Sequence, residues 1–561
     1  MLSLNRLASA ALLAGGLLAL PLTAHADNVV ARWIQLGPGS SPAALANGQF
    51  GDQPTSSTPT VLARAVISGG ACPALIVDGS LSITMNRRFT GSQLTSTPGS
   101  TGGTNAPANV GGTYPQYFVN AAATSPANFP DGTAMATTSW GECEAVVPAG
   151  HTTATIGSVT LKLPIANPQR ILVFGDSGCR MAAGAQQNCH SPAGFPFAGL
   201  ASYEALFKPD LIVQVGDYFY RDTNCIPSQT TAATNGQGAT TAGVEYVPGC
   251  SNPSNAAYEP WGDTFDSWNA DLFYPGNTLL AAAPWVMTRG NHESCGRGAR
   301  GWFALLDPHP FSLAQVTCPF NAGKATVTSA AVYTGDFTPS YVVPAGQVNL
   351  VVHDSSFAND SAVDANMAKN YDYDLTSVLN TLSGSSLNFF VTHKPAFGLT
   401  NSGPTNSGDF TEQYTFTGAP TGIASAFSGG IPAKIALLLS GHIHQFEYVN
   451  FNDYTHYAPQ LIVGTGGDNI DPTTASFGTN PPAYTALTYA YKSQPFTVHD
   501  AATTTTTTST AVHAAYSQAE FGFAVLDATP TGYIANVYNI NSTKAGRCTI
   551  TLNPRNIACW D

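Results

Sequence analysis

Apolar residues in this chain come in short runs, and five of those runs end alike. Ile171 to Phe174 leads into Gly175-Asp176-Ser177-Gly178, and Leu211 to Val215 into Gly216-Asp217-Tyr218-Phe219-Tyr220. Trp285 to Met287 precedes Gly290-Asn291-His292-Glu293, Leu387 to Thr392 ends on His393, and Leu437 to Ser440 ends on Gly441-His442-Ile443-His444. Short apolar runs bounded by Gly suit strands covered on both faces. In open α/β sheets, residues just past the carboxyl ends of strands stand where ligands bind. Five such ends carrying Asp, Asn or His predict one metal-dependent site.

The pattern elsewhere divides the chain. From Asp27 to about Asn167 short apolar stretches (Val29 to Ile34, Val61 to Ile67, Leu81 to Met85, Ala154 to Leu163) alternate with Gly, Pro and Ser clusters, and no helical period is sustained. This predicts a small β-sandwich over residues 27–167. The Ser- and Thr-rich stretch from Ser92 to Thr113 reads as one exposed loop. From residue 168 to 561 strands alternate with helix candidates at Ala198 to Phe207 and Asp263 to Phe273, an α/β arrangement. The stretch between Cys225 and Cys250, the region Thr400 to Gly430 and the run Thr503 to Thr508 read as loops. Phe521 to Leu526 and Tyr533 to Tyr538 read as a closing hairpin.

Residues 1–26 have the form of an export signal: Arg6, an apolar core from Leu7 to Leu20, and Ala24-His25-Ala26 at a cleavage site. Export to a secreted or periplasmic location follows, and no later apolar run is long enough to span a membrane. Ten cysteines are an even number, and an oxidising compartment favours their pairing. Closeness along the chain suggests Cys72–Cys143, Cys179–Cys189, Cys225–Cys250, Cys295–Cys318 and Cys548–Cys559. Cysteine spacing typical of a zinc site is absent. A net charge of −13 argues against nucleic acid or an anionic membrane surface as partner. A small anionic substrate drawn to metal ions remains compatible with it.

The five motifs together, Asp176-Ser-Gly178, Gly216-Asp-Tyr-Phe-Tyr220, Gly290-Asn-His-Glu293, Phe390-Val-Thr-His393 and Gly441-His-Ile-His444, resemble the calcineurin-like metallophosphoesterases. Within that superfamily they look most like the purple acid phosphatases, in a bacterial exported branch. The resemblance implies a four-layer α/β/β/α sandwich, preceded here by the small β-sandwich. It implies Asp176, Asp217, Tyr220 and His444 as ligands of a first metal, and Asp217, Asn291, His393 and His442 of a second, with Asp217 bridging. A carboxylate has two acceptor oxygens, so one Asp can serve two cations. Most of the superfamily has a ligand His where this chain has Gly178, and Tyr220 stands where the purple acid phosphatases place a tyrosinate. A phenol ionises near pH ~10 in water. Its binding as an anion therefore points to ferric iron in the first site, with zinc, manganese or ferrous iron in the second.

What the resemblance implies chemically is an exported phosphatase. Hydroxide from a metal-activated water attacks the phosphorus of a phosphate monoester, and the metals offset the charge. Asn291 and His292 contact the substrate phosphate, and His292 serves as the acid toward the leaving group. Phosphodiester or nucleotide hydrolysis on the same site is the alternative. Glu293 orients His292 or caps a helix, whereas Arg289 and Arg297 suit structural or solvated roles. His190, His309, His353 and His456 fall outside the motifs and read as non-ligands. A competing reading is a GDSL-type serine esterase, from Phe174-Gly-Asp-Ser177 with Asp453 and His456 completing a triad. It leaves Asp217, Asn291, His393, His442 and His444 without a task.

Overall fold

The computed structural model describes residues 28–39, 59–90, 140–221, 263–311, 337–358, 374–400, 409–412, 431–471, 496–500 and 505–560, apart from 183–184, 188, 190–191, 264, 295–296, 357, 376–377, 381, 452–453, 456, 510–511, 519 and 542. Three of the motif strands, Arg170–Phe174, Leu211–Gln214 and Trp285–Met287, lie side by side and parallel, with Ile212 in register with Leu172 and Trp285. The other two, Asn388–Val391 and Ile435–Ser440, are parallel neighbours in a second sheet. Residues in register within a parallel array leave it at the same end. That places the polar termini of all three strands of the first sheet together, and both termini of the second likewise.

The two sheets face each other across a core of Ile171, Val173, Val213 and Val286 from one, and Leu350, Phe389, Val391, Leu437 and Val463 from the other. Strands buried on both faces have no solvent side, which is why their sequences show apolar runs instead of alternation. The outer face of the first sheet, with Leu172, Phe174, Ile212 and Trp285, is covered by Phe197, Leu200, Trp268, Leu272 and Trp302 from helical segments. Those segments are Phe197–Leu206, close to the expected helix, and Phe265–Trp268 continuing as a wide π turn over Asn269–Phe273. After Leu306 the described residues hold only short helical turns, at 374–375 and 378–380, so the second helical layer of the expected sandwich is not among them.

The separate N-terminal sandwich is corrected in one respect. Strand Val29–Gly37 pairs in parallel with Trp285–Met287, and Thr60–Ile67, Gly141–Val146 and Asn86–Thr90 follow it, so these four strands extend the first sheet to eleven. A second, four-stranded sheet (Leu81–Thr84, Ala74–Val77, Thr153–Ile156, Val159–Lys162) closes over them, around Ile34, Ala65, Leu75, Val77 and Ile156. The region does have two layers about a core, but one layer is the edge of the main sheet. Pairing between Gln35 and Trp285, residues far apart in sequence, leaves no local mark in either segment.

At the other edge, Gly522–Thr529 and Gly532–Asn539 form the expected hairpin, which pairs with Arg170–Phe174 and carries two further strands. The Thr503 to Thr508 loop is likewise corrected: Thr505–Ser509 is a strand paired with Phe496–Asp500. Its threonines are β-branched, which suits a strand more than a loop. Phe397–Thr400 pairs antiparallel with Asp409–Glu412, and residues 401–408 and 413–430 of the expected Thr400 to Gly430 loop lie outside the described residues. The expected bonds Cys72–Cys143, Cys179–Cys189 and Cys548–Cys559 are formed. The other two expected pairs, the export signal, the loop from Ser92 to Thr113 and the stretch between Cys225 and Cys250 lie outside the described residues.

Glu204 breaks the apolar pattern of its helix. It is fully buried, and neither carboxylate oxygen has a hydrogen-bond partner. Burial pushes its pKa well above the usual carboxylate range. The folded chain then holds a proton that the unfolded chain loses above about pH 4.3. Stability from this group is complete below that pH and declines as pH rises toward the folded value. Glu204→Leu is expected to raise unfolding free energy by about 1–3 kcal/mol near neutral pH, the cost of an unsatisfied buried polar group. Denaturant titrations at pH 5 and pH 8 check this. A gain no larger at pH 8 than at pH 5 would refute the assignment.

Candidate metal centre

Three motif residues stand in the left-handed backbone region directly after their strands or turns: Asp176 at φ 58°, Asp217 at φ 58° and His442 at φ 72°. Side chains other than Gly seldom adopt this conformation, and such strain gathers at functional sites. The effect here is to turn each side chain back over the strand ends. Asp176 and Asp217 are almost completely buried. Close approach forces Gly290, where a Cβ would collide with Asp217 Oδ1.

Tyr220 lies at the junction of the two expected ligand sets. Its hydroxyl oxygen is 2.8 Å from both Asp176 Oδ1 and Asp217 Oδ2, which compete for its one proton, and 3.0 Å from His444 Nε2. Burial, then the carboxylates of Asp176, Asp217 and Asp468, hold the phenol well above the ordinary tyrosine pKa. Losing that proton therefore calls for strong positive charge beside it. Gly178 makes room for this arrangement, since a Cβ there would come within 2.9 Å of Tyr220 Cδ2 and 2.7 Å of the Tyr218 carbonyl.

The second set is equally close. His393 Nε2 is 3.1 Å from Asp217 Oδ2 and 3.0 Å from Asn291 Oδ1, and its ring lies 5.1 Å from that of His442. Asp217, His393 and His442 each offer one donor atom within 4.8 Å of the others. Main-chain contacts choose which imidazole nitrogen faces the centre. His393 Nδ1 is 2.9 Å from the Val215 carbonyl and His444 Nδ1 2.7 Å from the Asn469 carbonyl, so Nε2 faces inward in both. Burial opposes charge on His393, but Asp217 outweighs it and raises the pKa to about 9. On His444 burial is outweighed by Asp468 and Asp176, and the value rises to about 10. Two buried carboxylates, imidazoles, an amide oxygen and a phenol converging in this way fit a pair of cations.

His292 lies beside the set. Its backbone N–H donates to Asp217 Oδ1 at 2.8 Å, and its ring lies tilted against that of Tyr220, with centroids 3.9 Å apart. Glu293 does not orient His292. Both of its oxygens accept backbone N–H groups, including that of Gly290, the cap of the short helical turn. Arg289 is buried and structural, pairing with Asp354 at 3.1 Å. His309 pairs with Asp307 and His353 with Asp374, away from the ligand set, while His190 and His456 lie outside the described residues.

Ser177 is fully buried, its hydroxyl 3.4 Å from Gln214 Nε2. A nucleophile must reach its substrate, so the serine-esterase reading loses its central residue. Asp453 and His456 lie outside the described residues.

Sequence reading missed three contributors. Asp271 accepts the Tyr220 N–H at 3.1 Å. Asp468 stands 3.4 Å from His444 Nδ1, and Arg180 joins it through Nε at 2.9 Å while covering the Tyr220 ring at 4.8 Å. Asp468 belongs to a turn, Gly464 to Asp468, that follows strand Gln460–Val463 and hydrogen-bonds to the main chain of Gly175 and Asp176. A sixth apolar run ending in Gly and Asp was the available signal. Arg180 and Asp271 carry no pattern at all.

The sequence profile described as calcineurin-like phosphoesterase matches residues 169–446. Comparison with curated proteins gave no significant match. Among solved structures, the chain is similar to a purple acid phosphatase isolated from yellow lupin (Lupinus luteus) seeds, at 11% identity over 92% of this chain and 73% of that one, with a TM-score of 0.45. It is similar to PhoD at 10% identity over 96% of this chain and 93% of that one, with a TM-score of 0.45. A dimetal phosphatase from Danio rerio is similar at 10% identity over 69% of this chain and 100% of that one, with a TM-score of 0.29.

Proposed function

Residues 169–446 make this chain a calcineurin-like phosphoesterase, and from that premise we propose that it hydrolyses phosphate monoesters of small molecules with two bound metal ions. The observation that supports this most is the convergence, from five strand ends in two sheets, of Asp176, Asp217, Tyr220, Asn291, His393, His442 and His444. Asp176, Asp217, Tyr220 and His444 would hold ferric iron, and Asp217, Asn291, His393 and His442 zinc, manganese or ferrous iron. Bound there, the ions would supply a water of lowered pKa and positive charge beside the phosphoryl group.

The protein's own groups do the rest. The Asn291 amide, whose oxygen lies 3.0 Å from His393 Nε2, would meet a phosphoryl oxygen as well as a cation. His292 is fixed through its main chain to Asp217, and its imidazole donates a proton to the departing alkoxide oxygen. Three disulfides among the described residues support an extracytoplasmic site of action.

Hydrolysis of a panel of phosphate mono- and diesters, with metal content measured on the same sample, tests the proposal. Monoesters are expected to be preferred, chelation to abolish activity, and two metal ions to be found per chain. Full activity after exhaustive chelation would overturn it. The same sample is expected to be coloured by a tyrosinate-to-iron band, and Tyr220→Phe to bleach it. A colourless, active protein carrying zinc or manganese alone would refute the iron assignment and leave the phosphoesterase reading standing.

A further inference from the structure

We propose that Glu293 is the positioning residue of this centre: its carboxylate gathers four backbone N–H groups and so sets the conformation of the loop that carries Asp217 and Tyr220. The inference rests on the two-metal reading above. Glu293 Oε2 accepts from Gly290 at 2.9 Å and from Asp217 at 3.0 Å, and Oε1 accepts from Tyr218 at 2.8 Å and Phe219 at 3.1 Å. The side chain is fully buried.

Three consecutive N–H groups can converge on one anion only if the backbone curls, and here it does so through Gly216 at φ 102° and Asp217 at φ 58°. Such a curl is a nest, a main-chain shape that suits an anion. In this protein the anion is a side chain from the neighbouring motif. Adjacent residues grip the same aspartate from two sides: the His292 N–H holds the Asp217 carboxylate, and the Glu293 carboxylate holds the Asp217 N–H. The Asp217 carboxylate, and the phenol three residues on, inherit their places from this grip.

The clamp is itself anchored. The Glu293 carbonyl accepts from Arg289 Nε at 2.9 Å and Nη2 at 2.7 Å. Arg289 Nη1 reaches Asp354 at 3.1 Å, and Asp354 in turn accepts the Thr338 N–H at 2.8 Å. Asp354 follows strand Val348–Val352 of the second sheet. The position of the Asp217 carboxylate is therefore tied to both sheets.

The chemistry demands a carboxylate. Four donors need acceptor lone pairs on both side-chain atoms, which a carboxyl group offers and an amide does not. A glutamine of the same shape would turn an NH2 group toward two N–H donors, and an aspartate, one methylene shorter, could satisfy only part of the set.

Wild type, Glu293→Gln and Glu293→Asp are stripped with chelator, then titrated with Zn2+ by calorimetry. Metal content, turnover and denaturant unfolding are measured on the same preparations. Glu293→Gln is expected to weaken metal binding at least tenfold and to regain turnover partly in excess metal, a rescue that a general folding defect would not show. Glu293→Asp is expected to lie between Gln and wild type, and it decides the matter if the Gln variant does not fold. A folded variant with wild-type metal affinity and turnover would overturn the role of Glu293. A wild-type protein that takes up no metal would instead overturn the two-metal reading itself.

Discussion

Asp217→Ala is expected to purify with both metal ions missing and with hydrolysis at the uncatalysed background. Asp217 is the residue on which both ligand sets close: its Oδ2 receives the Tyr220 hydroxyl at 2.8 Å and stands 3.1 Å from His393 Nε2, while its Oδ1 receives the His292 N–H at 2.8 Å. On the proposed two-metal reading, removing the carboxylate takes one ligand from each ion; it also leaves Tyr220, His393 and His292 without the group that spaces them. Ser177→Ala is the matched control. That side chain is buried, faces Gln214, and keeps its main-chain bond to the Asp217 carbonyl whatever its β-substituent. Its activity is expected to stay within about tenfold of wild type, since removing one long, weak hydrogen bond costs little. Elemental analysis beside a phosphatase assay checks both. An inactive Ser177→Ala protein with two metals would return the serine to the mechanism.

The elements that could be read from sequence were those whose cause is local. An apolar run that stops at Gly-Asp or Gly-His records burial on two faces and then a sharp turn, and Arg170–Phe174, Leu211–Gln214 and Ile435–Ser440 are where those runs placed them. The convergence of their ends was also legible, because parallel strands with ligand residues at one end leave few other arrangements. What escaped depends on partners distant in sequence. Nothing in Val29–Gly37 announces Trp285–Met287 as its neighbour, so the N-terminal strands read as a separate layer although they extend the main sheet. A homopolymeric threonine run suggests a loop until Phe496–Asp500 is seen pairing with it.

Within the site the same division holds. The candidate ligands sit in motifs, whereas of the groups around them only Asp468 ends an apolar run, and Arg180 and Asp271 are single residues with no spacing to betray them. Arg180, Asp271 and Asp468 act on Tyr220 and His444 through contacts that only the fold creates. Of the two tasks its motif suggested for Glu293, capping the helical turn at Gly290 holds and orienting His292 does not; the further N–H groups it accepts, of Asp217, Tyr218 and Phe219, were not foreseen. Backbone N–H groups as partners leave no trace in the amino-acid letters.

His292→Ala is expected to keep both metals and lose turnover by ~10²–10⁴, the range for a missing general acid. Metal retention follows from geometry, because the contact between residue 292 and Asp217 is made by the main-chain N–H, which alanine preserves. The imidazole itself lies tilted against the Tyr220 ring, with centroids 3.9 Å apart, beside the candidate ligand set. If it delivers a proton to the ester oxygen of a substrate, the loss must depend on the leaving group. An alkyl phosphate needs protonation as its alkoxide departs, and the variant should show the full deficit. A nitrophenyl phosphate leaves as a stable anion, and the deficit should shrink toward the part due to phosphate binding. Measuring kcat for esters spanning a range of leaving-group pKa gives the slope directly: steeper than wild type if His292 is the acid. Parallel slopes, with one constant offset across the series, would take the proton away from His292 and leave it only a hydrogen bond to the phosphoryl group.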